Sequence, residues 1–217
     1  MKYRQLGDSD LQVPVVCFGA WALGGQWWGG TDDAAAIDAI RRALDVGISC
    51  IDTAAIYGMG HSERVVGKAV SDCRAQVIIA TKCGSRWGLS GEEPSVDPVT
   101  GRGDTGTITH ILKGDSIKEE CEASLQRLGT DYIDLYQCHW PDETGTPVEE
   151  TMGALLDLQQ QGKIRYFGVS NFPTSLMREC LQFGRIVSNQ PPYSAIRRDI
   201  EYDIVPFCVE HTIGILA

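Results

Sequence analysis

Residues 47–67 decide the fold, and they read Gly-Ile-Ser-Cys-Ile-Asp-Thr-Ala-Ala-Ile-Tyr-Gly-Met-Gly-His-Ser-Glu-Arg-Val-Val-Gly. The β-branched run 48–51 predicts a short strand that ends at the carboxylate of Asp52, and an apolar-periodic helix follows from about Ser62. Between them a loop presents the phenol of Tyr57. Barrels of alternating strands and helices build their active sites at the C-terminal ends of strands. Either residue alone would be interpreted as a cap or a loop anchor, so the functional interpretation depends on partners elsewhere.

The composition is that of an ordinary globular chain and excludes several classes of partner. Of 217 residues, 43% are hydrophobic and 22% are charged, and no linker divides them, which predicts a single domain over residues 1–217. The net charge of −10 would repel phosphate backbones and anionic membranes, so we expect neither nucleic acid nor a membrane as partner. No apolar run approaches the roughly 18 residues of a membrane span, and residues 1–6 lack a signal-peptide core. We therefore expect the protein in the cytoplasm.

Cysteine and histidine usage indicates neither a disulfide framework nor a metal site. The eight cysteines include no C-x-x-C pair, and five of them lie inside apolar runs. These five are Cys17, Cys50, Cys83, Cys138 and Cys208. Such usage is typical of buried, reduced thiols in a reducing compartment. The four histidines are never spaced as ligands on one helix face, so we expect no metal.

Strand and helix signals alternate along the chain after an N-terminal hairpin with its turn at residues 7–10. Seven apolar runs are predicted as strands, at residues 13–21, 48–51, 77–81, 132–138, 164–169, 185–188 and 213–217. Helices are predicted between them, over residues 31–47, from 62, and over 116–128, 146–162, 173–183 and 203–211. Ser116 with Glu119, and Thr146 with Glu149, match the capping-box pattern at two helix starts. Continuous apolar strands of this kind belong to a parallel sheet covered on both faces.

The polar strand endings distinguish between a doubly wound open sheet and a closed barrel. In an open sheet, functional groups concentrate at one switch point. Here polar groups follow five separate strands, at Asp52, Lys82, His139, Ser170-Asn171 and Asn189-Gln190. Because these groups are spread so evenly, we predict an α/β fold, a (β/α)8 TIM barrel with an N-terminal β-hairpin. The long loop at residues 84–114, rich in Gly, Pro, Ser and Asp, is expected to be functional.

Asp52, Tyr57, Lys82 and His139 should converge at one rim of such a barrel, where together they suit proton delivery to a carbonyl. A tyrosine titrates near pH ~10, and a lysine ammonium close by is expected to lower the pKa of Tyr57. A shift of about two units corresponds to about 2.7 kcal/mol. Asp52 would keep Lys82 charged, and the His139 imidazole would orient a carbonyl oxygen. General-acid help to hydride addition is worth roughly 10²–10⁴-fold.

These residues stand in segments that resemble the aldo-keto reductase family, and the resemblance covers nearly the whole chain. The most specific segments are Ile51-Asp52-Thr53-Ala54-x-x-Tyr57-Gly58, Ala80-Thr81-Lys82, the run 131–136 ending in His139, Gly168-Val169-Ser170-Asn171-Phe172 and Asn189-Gln190. The resemblance implies an NADPH-dependent oxidoreductase that reduces the carbonyl of aldehydes or ketones, with NADH left open as cofactor. Segments 81–84 and 139–142 look most like the microbial branch that includes relatives of potassium-channel β-subunits.

The resemblance also implies roles for the four residues at the rim. Tyr57 would be the general acid, Lys82 and Asp52 would tune it, and His139 would orient the substrate. The implied partner is a small-molecule aldehyde or ketone, and a homo-oligomer is compatible with the family pattern.

Two further groups of residues resemble family positions around a bound nicotinamide. The residues that would bind its carboxamide are Ser170, Asn171 and Gln190. The residues that would line the site beneath cofactor and substrate are Gly19, Ala20, Trp21 and Asp52. Both groups are implied by the resemblance alone.

Family members continue beyond the length of this chain, and their further residues supply an eighth strand and a segment that binds the adenosine 2′-phosphate. We therefore predict a barrel that is truncated within strand seven, with strand eight and the phosphate-binding segment absent. Both edges of the sheet would then be open. Binding of NADPH by residues 1–217 alone is expected to be weak.

Loop tryptophans are expected at the same rim, namely Trp27, Trp28, Trp87 and Trp140. Loop tryptophans often shape a pocket, so Trp28, Trp87 and Trp140 are predicted to form an apolar or aromatic wall for the substrate. Replacing Trp28 or Trp87 by alanine should then change substrate preference more than cofactor affinity.

Two other functions stay open at this point. A regulatory subunit could keep the barrel and use cofactor state as a signal, although such a scaffold has no need of Tyr57 beside Lys82. A barrel hydrolase could use Asp52 and His139 on a bound water, although the sequence offers neither a second well-placed carboxylate nor a metal site. The reductase is the leading hypothesis.

Overall fold

The chain opens with an antiparallel hairpin in the computed structural model, which describes residues 1–25, 28–89 and 106–217. Strand β1 (Tyr3–Gln5) pairs with β2 (Gln12–Pro14), and Arg4 lies opposite Val13. The prediction of one strand over residues 13–21 is wrong, because β3 (Phe18–Gly19) is separate and a 3₁₀ turn follows at Trp21–Gly24. The segment changes its hydrogen-bond partner between the hairpin and the main sheet, so no single strand can span it.

Seven parallel strands form the main sheet and follow one another in chain order. The strands after β3 are β4 (Cys50–Asp52), β5 (Ile78–Cys83), β6 (Ser85–Arg86), β7 (Thr109–His110), β8 (Ile133–Cys138), β9 (Ile164–Ser170), β10 (Ser188–Gln190) and β11 (Gly214–Ile215). Of these, β6 and β7 form a separate antiparallel pair among the described residues. The order of the main sheet is β11-β10-β9-β8-β5-β4-β3. The predicted strand at 185–188 is wrong in its bounds, because β10 pairs with β9 through Asn189 and Gln190.

Helices separate the main strands, as the alternation of sequence signals predicts. They are α1 (Asp33–Asp45), α2 (His61–Val70), α3 (Gly114–Leu128), α4 (Val148–Gln160), α5 (Thr174–Cys180) and α6 (Ile204–Glu210). Asp32 caps α1 by accepting hydrogen bonds from the N–H groups of Ala34 and Ala35. This arrangement of parallel strands and helices supports a fold of the TIM-barrel type.

Both predicted capping boxes are wrong. Helix α3 begins before Ser116, and the Ser116 hydroxyl donates to Glu120 one turn further on, at 3.1 Å. Helix α4 begins after Pro147 without a side-chain cap. Pro147 sits just before the first helical residue, where its missing N–H costs no intrahelical hydrogen bond.

Side-chain alternation along the strands divides the apolar core between the two faces of the sheet. Ile51 and Ile79 belong to a large cluster that includes the helices, whereas Cys50 and Ala80 belong to a smaller cluster with residues of the hairpin. Burying one such isoleucine fully contributes about 1.5–3 kcal/mol. Since successive side chains of a strand point to opposite faces, Asp52 and Lys82 continue the face of Cys50 and Ala80. The polar groups therefore extend the inner face to the C-terminal ends of the strands.

A buried ion network fixes the opposite end of the sheet. Asp134 of β8 is 2% exposed and accepts hydrogen bonds from Arg74 at 2.7 Å and Arg165 at 2.9 Å. The backbone N–H of Ile79 donates to the same carboxylate at 3.0 Å. A buried carboxylate with three donors is satisfied. Removing it would leave Arg74 and Arg165 without the carboxylate that they share, and Arg165 would keep only its exposed contact with Asp10 among the described acidic residues.

The predicted long loop at 84–114 is partly structured, since it contains the β6–β7 pair, but residues 90–105 lie outside the described part of the chain. Among the residues that the structure describes, no helix is both long and apolar enough to cross a membrane.

Candidate active site

Lys82 is the most buried of the four residues predicted at the rim, with 2% of its surface exposed. Its ammonium donates to both carboxylate oxygens of Asp52, at 2.8 and 2.9 Å, and to the carbonyl oxygen of Thr53 at 2.8 Å. Strands β4 and β5 are neighbours, with Asp52 opposite Ala80, so Asp52 and Lys82 project from adjacent strand ends on one face. Three acceptors satisfy all three ammonium protons.

The loop after β4 brings the phenol of Tyr57 to this ion pair. The Tyr57 hydroxyl oxygen lies 3.4 Å from the Lys82 nitrogen, and that nitrogen lies 5.1 Å from the centre of the phenol ring. Gly58, at φ +61°, lets the loop pass close to Gly24, because a Cβ at Gly58 would lie 2.2 Å from the Gly24 carbonyl oxygen. The glycine pair therefore sets the position of Tyr57.

His139 completes the group at the end of β8. Its ring is edge-on to that of Tyr57, with the ring centres 5.8 Å apart. Two hydrogen bonds hold its backbone. Its N–H donates to the carbonyl oxygen of Cys83 at 2.9 Å, and its own carbonyl oxygen accepts from the Asn171 amide at 2.9 Å. Within the described residues, the buried Nδ1 atom of His139 has no hydrogen-bond partner.

Electrostatics fixes distinct protonation states for these groups. Burial, with help from the charges of Lys82 and His110, holds the pKa of His139 well below its usual range, so the imidazole is neutral at neutral pH. Burial opposes the charge on Lys82, but attraction by Asp52 and Tyr57 outweighs it and raises the pKa of the ammonium. The site therefore holds a permanent cation beside a neutral ring.

The expectation that Lys82 leaves Tyr57 with a lowered pKa is wrong. Burial is the largest influence and raises the pKa of the phenol above its ordinary value. Lys82 acts in the opposite direction, and Asp52 raises the pKa further. The sequence could place the cation next to the phenol, but it could not show how much water the folded chain removes from the hydroxyl.

A cluster of amides and hydroxyls adjoins the ion pair at the ends of β9 and β10. The Ser170 hydroxyl donates to the carbonyl oxygen of Gln190 at 2.9 Å, and the Asn171 amide donates to the Ser170 hydroxyl at 3.1 Å. The Gln190 amide donates to Asp52 at 3.2 Å and accepts from the Gln137 amide at 3.1 Å. The three residues predicted to bind a carboxamide are therefore brought together beside Asp52.

The residues predicted to line the site beneath cofactor and substrate also lie beside Asp52. Gly19 pairs with Asp52 across β3 and β4, and the N–H of Ala20 donates to the Asp52 carbonyl oxygen at 2.8 Å. The Trp21 ring lies 6.1 Å from that of Tyr57. No atom of the described residues outside its chain neighbours lies within 4 Å of a Cβ built on Gly19, so these residues leave the backbone there open to an approaching molecule.

The tryptophans predicted at the rim divide into two groups. Trp28 is edge-on to Trp21 at 5.5 Å, and Trp140 stacks on His139 at 6.5 Å, so both extend the aromatic surface around Tyr57. Trp87 instead lines a separate cavity of about 390 Å³ with residues of α3, which contains none of the four rim residues. Its assignment to the substrate wall stays a prediction. Trp27 lies outside the described residues.

A family model decides the relationship, because the model for the aldo/keto reductase family matches residues 15–217. The chain belongs to the aldo-keto reductase family. Aldo-keto reductase YhdN of Bacillus subtilis is 40% identical over 218 residues, which span 100% of this chain and 61% of the relative. The NADH-specific methylglyoxal reductase of Escherichia coli is 39% identical over 98% of this chain and 65% of its own length. The chain thus spans somewhat less than two thirds of the curated relatives it matches.

Comparison with solved structures also places this chain among the aldo-keto reductases. The glycerol dehydrogenase AKR11B4 from Gluconobacter oxydans superposes with a TM-score of 0.85 at 37% identity, over 100% of this chain and 62% of that one. Its similarity supports the TIM-barrel type of fold.

The sequence did not lead us to predict two residues of this site, Gln137 and His110. Gln137 precedes His139 by two positions on the same face of β8, and that alternation was a usable signal. The His110 ring lies tilted against that of Trp140, with ring centres 5.6 Å apart, and its Nδ1 atom lies 3.3 Å from the Ser85 hydroxyl. His110 follows a long loop, where periodicity gives no indication of which residues approach the rim.

Proposed function

We propose that this chain carries the catalytic centre of an NAD(P)H-dependent reductase that converts aldehydes or ketones to alcohols. The observation that carries the proposal is the 3.4 Å separation between the Tyr57 hydroxyl and a Lys82 ammonium that both oxygens of Asp52 hold in place. A proton donor beside a fixed cation is what carbonyl reduction requires at the oxygen atom.

Tyr57 is the proposed general acid. Its raised pKa keeps the phenol protonated at neutral pH, so a proton is available when negative charge develops on a carbonyl oxygen. After the proton leaves, the Lys82 ammonium stabilises the phenolate, and Asp52 keeps that ammonium charged and directed. Lys82 and Asp52 thus stabilise a negative charge on Tyr57 that develops only as the proton is transferred. An interaction that is stronger in the transition state than in the ground state accelerates the step.

His139 is proposed to orient the substrate. The neutral imidazole can donate one hydrogen bond to a carbonyl oxygen without competing for the proton of Tyr57. Its edge-on contact with the Tyr57 ring places both groups around one point, and its two backbone hydrogen bonds restrain its position.

A nicotinamide cofactor fits the residues present. When bound, it would supply the hydride that reaches the carbonyl carbon. Ser170, Asn171 and Gln190 offer hydroxyl and amide groups that can both donate and accept, as a carboxamide requires, and they adjoin Asp52. We propose NADPH from the family pattern. One relative is named NADH-specific, so the two cofactors should be titrated side by side.

The substrate is proposed to be a small carbonyl compound bound against Trp28 and Trp140. Both rings are partly exposed, at 54% and 41%, and stand next to Trp21 and His139. A relative named as a methylglyoxal reductase makes methylglyoxal a reasonable first compound to assay. Asp52 is committed to Lys82 and Gln190, which argues against its use as a base in a hydrolase.

The test is oxidation of NADPH and of NADH with methylglyoxal and with an aromatic aldehyde, comparing the wild-type chain with Tyr57→Phe. We expect Tyr57→Phe to lower kcat/KM by roughly 10²–10⁴-fold. Tyr3→Phe is the matched control, because its hydroxyl only donates to the Gly47 carbonyl oxygen at an exposed position. A Tyr57→Phe enzyme as active as Tyr3→Phe would overturn the assignment. A wild type that binds the cofactor in a fluorescence titration yet reduces neither compound would favour the regulatory alternative.

A further inference from the structure

A buried carboxylate that the proposed mechanism does not use lies behind the active site. Glu120 of α3 is 7% exposed and accepts a hydrogen bond from the backbone N–H of Gly84 at 2.9 Å. Its other oxygen accepts from the Ser116 hydroxyl at 3.1 Å. Carboxylates are seldom buried unless their partners are specific, so this position calls for a functional reason.

Gly84 links Glu120 to the active site. It follows Lys82 by two residues, at φ +85°, and a Cβ there would lie 2.4 Å from Leu112, so the chain turns sharply at this point. The Glu120 carboxylate therefore fixes the turn at which β5 ends, directly beyond the lysine.

A second buried carboxylate holds the other side of Lys82. The Thr81 hydroxyl donates to Glu63 of α2 at 2.6 Å, and Arg127 of α3 donates to the same carboxylate at 2.6 Å. Glu63 has a permanent partner in Arg127, whereas the hydrogen bonds of Glu120 come from an uncharged N–H and a hydroxyl. Among the residues that the structure describes, no direct ion pair balances the charge of Glu120, in contrast to Glu63.

The surroundings of Glu120 make its charge sensitive to pH. Within the described part of the chain, the charged groups facing it are Arg86 of β6 and Arg127 on its own helix, and the titratable groups facing it are Cys83 of β5 and Tyr136 of β8. Burial is the largest influence and raises the pKa of Glu120 to about 7, against the hydrogen bonds and both arginines. The carboxylate is then ionised above neutral pH and takes up a proton below it.

We propose that Glu120 is a positioning residue that holds the end of β5, and with it Lys82, in the geometry required next to Tyr57. The inference rests on the proposed reductase function. An ionised Glu120 accepts a charge-assisted hydrogen bond from Gly84, which is stronger than the bond a neutral carboxyl can accept. When Glu120 is protonated, the turn at Gly84 loosens and Lys82 is less well placed to stabilise the Tyr57 phenolate.

The test is the pH dependence of kcat/KM for carbonyl reduction by wild type, Glu120→Gln and Glu119→Gln. Tyr57 and His139 titrate far above and far below neutrality, so neither produces a change near pH ~7. We expect the wild-type kcat/KM to fall by about fivefold from about pH 8 to about pH 6, and Glu120→Gln to show no such change. Glu119→Gln is the matched control, an exposed neighbour on the same helix that should behave as wild type.

Hydrogen exchange provides a readout that needs no activity. In Glu120→Leu the backbone amide of Gly84 should exchange at least tenfold faster than in wild type, while amides of α6 stay unchanged. If Glu120→Leu fails to fold, the same comparison in wild type at about pH 6 and pH 8, corrected for intrinsic exchange, replaces it.

The outcomes separate this inference from the proposed function. A pH change near neutrality that persists in Glu120→Gln would overturn the inference and point to another group. The inference would also be overturned if the Gly84 amide exchanged at the same rate in Glu120→Leu as in wild type. If the wild type binds the cofactor but is inactive, and exchange of the Gly84 amide still depends on Glu120, the reductase proposal is contradicted. The hydrogen bond between Glu120 and Gly84 is then still supported.

Discussion

Replacing Lys82 by methionine tests how the ion pair acts on Tyr57. The substitution keeps an unbranched side chain of similar shape but removes the charge that lies 3.4 Å from the phenol oxygen. At this separation, and with an effective dielectric constant of about 20, an ammonium and a phenolate attract each other by about 5 kcal/mol. That energy corresponds to between three and four pKa units, so the pKa of Tyr57 should rise further from its already raised value.

The assay is oxidation of the product alcohol as a function of pH, because Tyr57 must then accept a proton. The wild-type rate should rise with pH towards the raised pKa of Tyr57. In Lys82→Met that rise should move to higher pH, and the rate at a fixed alkaline pH should fall by up to about 10³-fold. Asp52 adds to the effect, because its carboxylate stays next to the phenol without a counter-charge.

Two controls separate this effect from loss of the fold. Lys118→Met removes an exposed lysine that pairs with Asp157 at 2.8 Å, and it should leave the rate unchanged. The double variant Lys82→Met with Asp52→Asn removes both charges and avoids an unpaired buried carboxylate. A Lys82→Met profile that rises at the same pH as wild type, with a rate within about threefold, would refute the reasoning.

Two further predictions follow from the packing around the site. Asp134→Ala should lower the free energy of unfolding by about 3–5 kcal/mol, because it leaves the guanidinium groups of Arg74 and Arg165 without their shared carboxylate. Urea unfolding measures this loss, and a change below about 1 kcal/mol would contradict the role given to the network. Trp140→Ala should raise the KM for an aromatic aldehyde several-fold, while fluorescence titration shows an unchanged cofactor Kd. Equal effects on both constants would argue that Trp140 does not belong to the substrate wall.

The sequence was sufficient for the order of strands and helices and for the residues at the strand ends. Apolar runs that end in Asp52, Lys82 or His139 mark buried parallel strands whose ends share one edge, so placing these side chains together needs only the fold class. The structure places Lys82 within reach of Asp52 and Tyr57, as that reasoning predicts.

The remaining features depend on tertiary contacts that periodicity does not encode. The first predicted strand is divided because the hairpin and the main sheet compete for the same segment. Ser116 matches a capping pattern but donates to Glu120 because the helix continues past it towards the N-terminus. Trp87 lines a cavity with residues of α3, a contact that its place in a loop does not indicate. The raised pKa of Tyr57 results from burial by residues that are distant in sequence.

The central claim is that Tyr57 gives the proton while a nicotinamide gives the hydride to one carbonyl group. The most direct measurement follows deuterium from a deuterated nicotinamide cofactor into the product by mass spectrometry, for wild type and for Tyr57→Phe. We predict one deuterium on the alcohol carbon with the wild type, and the same product formed at least about 100-fold more slowly with Tyr57→Phe. A wild type that forms no deuterated alcohol, or a Tyr57→Phe variant that forms it equally fast, would contradict the account.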